Sequence, residues 1–283
     1  MQIHYSVWDP MGNITVLVTS DVPVSARTEV AAHLLKTVNG AEQVGFFDLE
    51  STPLPRLEMA GGEFCGNATM SAAAMLISNS ENFKNKENEE IEISLAVSGS
   101  DEPVSVFVEQ NNGENGYICT VSMPLPATVE IFDTVLDGDP VSIPLVRMPG
   151  IAHFVVQNSI TADEAEGIQE LLRKLAEQVE ASAYGMIFTS DAEQPISPLL
   201  YVPAADTMIW ENACGSGSAA VAAWLAAQHG DPVAIRLLQP GGDTILARAK
   251  VTMTAPGQVS VTFLSITGSV RHRETIKTEF ESY

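Results

Sequence analysis

The feature that most constrains this chain is a repeat. FCGNATMSAAAML from Phe64 and ACGSGSAAVAAWL from Ala213 align without gaps, sharing the Cys, the Gly, two Ala and a Leu. In both copies a Cys-Gly pair leads into an Ala-rich run with no breaker, which predicts a helix that starts at the cysteine. The surroundings recur in the same order. Asn13 to Thr19 (NITVLVT) reads as a strand, followed by a helix capped by Ser25 and running to about Val38, then the apolar run Gly45-Phe46-Phe47. In the second half Ile151 to Gln157 reads as a strand, Thr161 and Glu164 form a T-x-x-E capping box for a helix to about Val179, and Gly185-Met186-Ile187-Phe188 follows. Ala-rich helices resemble one another by chance, but this ordered recurrence points to two related α/β halves. The expected division is residues 1–133, carrying Cys65, and 134–283, carrying Cys214, with the C-terminal strands able to return to the first half.

Between the two motifs, the polar stretch Ser78 to Glu90 reads as a solvated connection. Alternating runs at Ile91 to Val97, Val104 to Val108 and Tyr117 to Met123, with a turn at Asn111 to Gly116, predict a β-meander. Pro124 to Pro144, with its Pro, Gly and Asp residues, is the expected crossover between halves.

With 283 residues, 45% of them hydrophobic and 18% charged, the chain has material for one large core or two ordinary ones. A formal charge of −22 repels phosphate backbones and anionic lipids, so neither nucleic acid nor a membrane is an expected partner. No apolar stretch reaches the roughly 18 residues of a membrane span, and MQIHYSVWDP lacks the basic and apolar regions of a signal peptide. A cytoplasmic protein is expected. Its cysteines, at 65, 119 and 214, fit neither a disulfide framework nor a C-x-x-C metal site, so reduced thiols and no metal are expected.

A cysteine at a helix N-terminus sits among unpaired backbone N–H groups at the positive end of the helix dipole, which lowers a thiol's pKa and attracts anions. Two such turns suit inversion at the α-carbon of an amino acid. One sulfur removes a proton while the other donates one from the opposite face, and N–H donors at Gly66-Asn67 and Gly215-Ser216-Gly217 stabilise the substrate carboxylate. Such a reaction needs no electron-sink cofactor, and the sequence carries neither a G-x-G-x-x-G following a strand nor a P-loop. Cys119 reads as a small buried hydrophobe.

Phe64-Cys65-Gly66-Asn67-Ala68-Thr69-Met70 and Ala213-Cys214-Gly215-Ser216-Gly217 resemble the paired cysteine motifs of diaminopimelate epimerases. Met11-Gly12-Asn13 is similar to that family's N-terminal Gly-Asn turn, Glu42-Gln43 to the site of its substrate-contacting Gln, and His153 to its histidine near the active site. The resemblance implies an α/β (α+β) diaminopimelate epimerase-like fold, two pseudo-symmetric halves each wrapping strands around a central helix. The epimerases' Glu-Arg-Gly-x-Gly-Glu-Thr stretch is replaced here by Ile209-Trp210-Glu211-Asn212. Gly62 to Ser71, together with Trp210 to Gly217 and Gln239-Pro240-Gly241-Gly242, is closer to the cofactor-independent histidine racemases. Those include members that feed D-histidine to opine-type metallophore synthesis.

The resemblance thus implies Cys65 and Cys214 as catalytic residues, Asn13, Gln43, Gly66, Asn67, Glu211, Gly215 and Ser216 as substrate contacts, and His153 in support. Each has a plainer reading. Asn13 could only complete a turn, His153 could be a hydrogen-bonded core histidine, and Glu211 could be a surface carboxylate, or tune the thiol, or hold the substrate ammonium. Trp210 reads as packing. The leading expectation is interconversion of L- and D-histidine without pyridoxal phosphate, the alternatives being diaminopimelate epimerisation or a broader amino-acid racemase. An isomerase of the phenazine-biosynthesis type shares the fold but lacks the paired cysteines, and a two-lobed binding protein would exchange no α-proton. A small amino acid is the expected partner, and a homodimer remains an open assembly.

Overall fold

The computed structural model describes the whole chain except residues 81–88, 112–115, 137, 161–163, 191–194, 256–257 and 281–283. In chain order the first elements are β1 (Gln2–Pro10), β2 (Ile14–Val18), α1 (Val24–Thr37), β3 (Ala41–Asp48), β4 (Arg56–Met59), α2 (Gly66–Asn79), β5 (Ile91–Val97), β6 (Val104–Asn111) and β7 (Gly116–Ser122). They continue with β8 (Thr128–Leu136), β9 (Asp139–Met148), β10 (Ile151–Val156), α3 (Ala165–Ala176), β11 (Ala183–Phe188), β12 (Ser197–Val202), β13 (Thr207–Trp210), α4 (Gly215–His229), β14 (Val233–Leu238), β15 (Thr244–Ala255) and β16 (Gln258–Glu279). The chain forms two compact units, residues 1–122 with 267–283, and residues 123–266.

In the first unit β1 to β7 follow one another across a sheet, and β16 lies next to β7 and also pairs with β1. These strands surround α2, which packs on β1, β2, β3, β5, β6 and β7. Its sequence, GNATMSAAAMLISN, explains why a helix can sit there: small side chains on every face let strands approach from all sides, and Gly66 through Met75 are buried. On the outside, α1 covers β3 and closes a core of Val30, Ala31 and Leu34 against Val16, Val18 and Phe46.

The second unit repeats the plan. A six-stranded sheet, in the order β13-β12-β11-β10-β9-β8, carries α3 on one face through Leu172 and Leu175, which pack on Phe154, Met186 and Leu199. The Ala-rich α4 packs on β8 to β11 and on β14 and β15. It stops at Gly230, whose left-handed φ of 71° lets its N–H close on the Ala226 carbonyl at 2.9 Å.

The equivalent strand pairs β2–β3 and β10–β11 are both parallel, and each sets a glycine opposite a buried residue, Gly45 opposite Leu17 and Gly185 opposite His153. Two local expectations are corrected. Pro124 to Pro144 is not an irregular crossover: from Thr128 on it forms the hairpin β8–β9, in which Asp133 pairs with Ser142. Pro23 rather than Ser25 precedes α1, and no side chain caps that helix. Thr161, on which the capping box with Glu164 depends, lies outside the described residues. Ser78 and Asn79 are the end of α2, and most of the polar connection after them lies outside the described residues.

Candidate functional site

Each motif cysteine is the N-cap of its helix. Cys65 has extended backbone and its sulfur accepts from Ala68 N–H at 3.4 Å, and Cys214 likewise accepts from Gly217 N–H at 3.3 Å. The resemblance extends one turn further. Thr69 Oγ1 donates to the Cys65 carbonyl and Ser218 Oγ to the Cys214 carbonyl, both at 2.7 Å. Gly66 and Asn67 therefore form the first turn of α2, and Gly215 and Ser216 that of α4, where backbone N–H groups lack intrahelical acceptors.

In the first unit a turn and a bulge gather polar side chains beside Cys65. Met11 (φ 58°) and Gly12 (φ 95°) make the tight β1–β2 turn, closed by Asn13 N–H on the Pro10 carbonyl at 3.1 Å. Asp9 accepts from Gly12 N–H at 2.7 Å and is itself held by Arg273 at 2.8 Å. Asn13 is thereby buried with its amide aimed at β3. Gln43 donates to the Asn13 side-chain oxygen, and the Cys65 thiol donates to the Gln43 side-chain oxygen. Asn13, Gln43 and Cys65, which the sequence singled out separately, thus form one hydrogen-bonded string.

In the second unit Cys214 is buried. Burial raises its pKa well above the ordinary thiol value, the charge and hydrogen bond of Glu211 raise it further, and the N–H of Gly217 and the hydroxyl of Ser216 oppose them. The expectation that the helix N-terminus lowers this thiol's pKa is corrected: one N–H and a dipole do not outweigh desolvation and an adjacent carboxylate. Cys214 is thus held as a thiol. Its N–H donates to Gln239 Oε1 at 3.0 Å, and Gln239 Nε2 bonds Ser218 Oγ at 3.2 Å, so one buried Gln ties the cap to the first helical turn. In the sequence Gln239 stands out only as part of a likeness, because a glutamine 25 positions away carries no local signal.

His153 is fully buried, and neither ring nitrogen has a partner among the described residues. Burial pushes its pKa down to about 3, so the imidazole is neutral. It alternates with Ala152 and Phe154, which face the α3 core, and so lies on the face of β10 that meets α4. Gly185 makes room for it: a Cβ there would come within 2.2 Å of His153 Nδ1. Trp210 packs against Phe188, as expected of a packing residue, at a ring separation of 6.4 Å. Cys119 is buried and its sulfur donates to the Met70 carbonyl at 3.8 Å. Among the described residues no group of three His, Cys, Asp or Glu is placed to hold a metal, and no helix is long and apolar enough to cross a membrane.

A family model described as the histidine racemase CntK N-terminal domain matches residues 2–273. The chain belongs to the histidine racemase family. It is similar to a histidine racemase of Fusobacterium nucleatum subsp. nucleatum, 28% identical over 264 residues that cover 89% of this chain and 95% of that protein. A histidine racemase of Staphylococcus aureus is 26% identical over 251 residues, covering 86% and 88%. Among solved structures, a hydroxyproline epimerase from Agrobacterium vitis with bound trans-4-hydroxy-L-proline has the same fold, with a TM-score of 0.69 at 12% identity over 98% of this chain and 92% of that one. This member of the histidine racemase family is therefore an isomerase with the epimerase-type fold that its paired motifs implied.

Proposed function

We propose that the enzyme interconverts L- and D-histidine without pyridoxal phosphate, with Cys65 and Cys214 exchanging the α-proton on opposite faces of the substrate. The observation that carries this reading is the equivalence of the two cysteines, each an N-cap of a buried helix in a repeated unit and each followed by the same hydroxyl-to-carbonyl bond. In the active form one sulfur is a thiolate and the other a thiol. The thiolate takes the Cα proton, the thiol delivers its own to the other face, and the two have exchanged states when the enantiomer leaves.

Negative charge that develops on the substrate as Cα loses its proton is met by first-turn N–H groups at Gly66-Asn67 and Gly215-Ser216, already oriented by their helices. Asn13 and Gln43 bind the substrate's polar groups, Glu211 sets the proton of Cys214 or meets the ammonium, and His153 lends support beneath α4. The histidine assignment rests on the family and on the named relatives. A cytoplasmic setting, where thiols stay reduced, belongs to the same reading, as does a free amino acid as partner rather than nucleic acid or membrane.

Chiral chromatography of the purified enzyme with L-histidine in deuterium oxide tests this. The expected outcome is a mixture approaching equal L and D forms, with deuterium at Cα, and little turnover of meso-diaminopimelate. Cys65→Ser and Cys214→Ser should each reduce racemisation by at least about a thousandfold, and Cys119→Ala should leave most of it. Full activity in either motif variant would remove the two-thiol mechanism, and preference for diaminopimelate would overturn the substrate.

A further inference from the structure

Glu42 lies at an irregularity that the sequence hides. In the parallel pair β2–β3, Ile14 is opposite Ala41 and Thr15 opposite Gln43, so Glu42 is an extra residue, a bulge between two paired neighbours. Along a regular strand successive side chains leave on opposite faces. Here the bulge brings both Glu42 and Gln43 to the same buried amide: Asn13 Nδ2 donates to Glu42 Oε2 at 2.7 Å, and Gln43 Nε2 donates to Asn13 Oδ1. Bulges in parallel pairs are uncommon and are used to re-aim side chains near functional sites.

The string has a direction, and Glu42 sets it. A carboxylate only accepts hydrogen bonds, whereas an amide has one donating end and one accepting end. Glu42 therefore obliges Asn13 to turn its NH2 to the carboxylate and its oxygen to Gln43. Gln43 must then give its NH2 to Asn13 and present its oxygen to the sulfur of Cys65. An oxygen facing that sulfur is satisfied only by an S–H. We infer that Glu42 is a positioning residue that, through Asn13 and Gln43, fixes the polarity of the string and holds Cys65 as a hydrogen-bond donor between turnovers. This rests on the reading of Cys65 as a proton-transfer group. At rest the two thiols are thus kept protonated by different devices, Cys214 by burial with Glu211 in direct contact and Cys65 by a carboxylate two amides away, and one of them becomes the thiolate only in the active form.

The test is Glu42→Gln, which keeps size and removes the obligation to accept. Both amides can then reverse and offer Gln43 NH2 to the sulfur. Alkylation of Cys65 by iodoacetamide at one neutral pH, followed peptide by peptide by mass spectrometry, should accelerate about fivefold, the worth of one ordinary hydrogen bond. The S–H stretching band that disappears in Cys65→Ser should weaken in Glu42→Gln. Asn13→Ala cuts the string further along and should accelerate alkylation similarly, and the double variant should add nothing, as for two parts of one chain. An unchanged alkylation rate and S–H band in folded Glu42→Gln, or additive effects in the double variant, would overturn the inference. Those outcomes leave the racemase reading standing, which fails instead if Cys65→Ser still racemises.

Discussion

His153 is a costly residue to bury. Its two ring nitrogens lack partners among the described residues, and the equivalent position of the other unit holds Leu17, so the fold does not itself require a polar side chain there. His153→Leu should therefore leave stability unchanged or raise it by about 1–3 kcal/mol, measured by urea unfolding at pH 7. The pH dependence has a definite sign. The unfolded imidazole binds a proton near pH 6.5 and the folded one only near 3, so below 6.5 the unfolded state takes up more protons. Stability contributed by the neutral ring is complete above pH 6.5 and falls as the pH drops towards 3, by roughly 1 kcal/mol per unit. In His153→Leu that part of the acid slope should vanish; an identical slope in the two proteins would show that this histidine does not titrate as described.

At the scale of the element, the head of α4 is packed more closely than that of α2. The residue three places after the cysteine is Ala68 in one and Gly217 in the other, and a Cβ on Gly217 would lie 2.5 Å from Ile187 Cδ1 and 3.0 Å from the Cys214 sulfur. Gly217→Ala should therefore destabilise by about 1–3 kcal/mol and slow racemisation, because relief of the overlap moves the cap. Gln239→Leu leaves the Cys214 N–H buried without its acceptor, at a cost of about 1–3 kcal/mol, and removes one of the bonds of Ser218. Thermal melting and kcat for both variants check this, and a Gln239→Leu protein as stable and active as the unmodified one would show that the tie is dispensable. The helix starts were legible in the Cys-Gly pairs and the breaker-free runs after them, but burial that reverses the thiol's expected shift depends on strands far away in sequence.

For the whole molecule, the consequential connection is β16. Gln2 to Pro10 pairs along its length with residues 270–279, so the first strand of the first unit is held by the last. Deleting residues 267–283 should unfold the first unit, seen as rapid amide exchange throughout Gln2–Pro10 and loss of the protection around α2. Retained protection in β1 would mean that the unit closes without its C-terminal strand. The truncated chain is also expected to lose racemisation, since Asp9, which steadies the Asn13 turn, loses Arg273.

The sequence by itself determined the repeat, the two helix-capping cysteines, the β-meander and the chemical class, because these depend on local pattern: a Cys-Gly turn, a run of small residues and alternation at period two. It also made Asn13 and Gln43 candidates through motif likeness. Only the tertiary structure decided that Pro124 to Pro144 is a hairpin, since Gly and Pro punctuate turns between paired strands as readily as crossovers. Only it joined Asn13, Gln43 and Cys65 into a directed string, because a bulge at Glu42 breaks the alternation from which strand faces are read. The protonation of Cys214 was decided there too, by desolvation inside a fold whose walls come from residues distant along the chain.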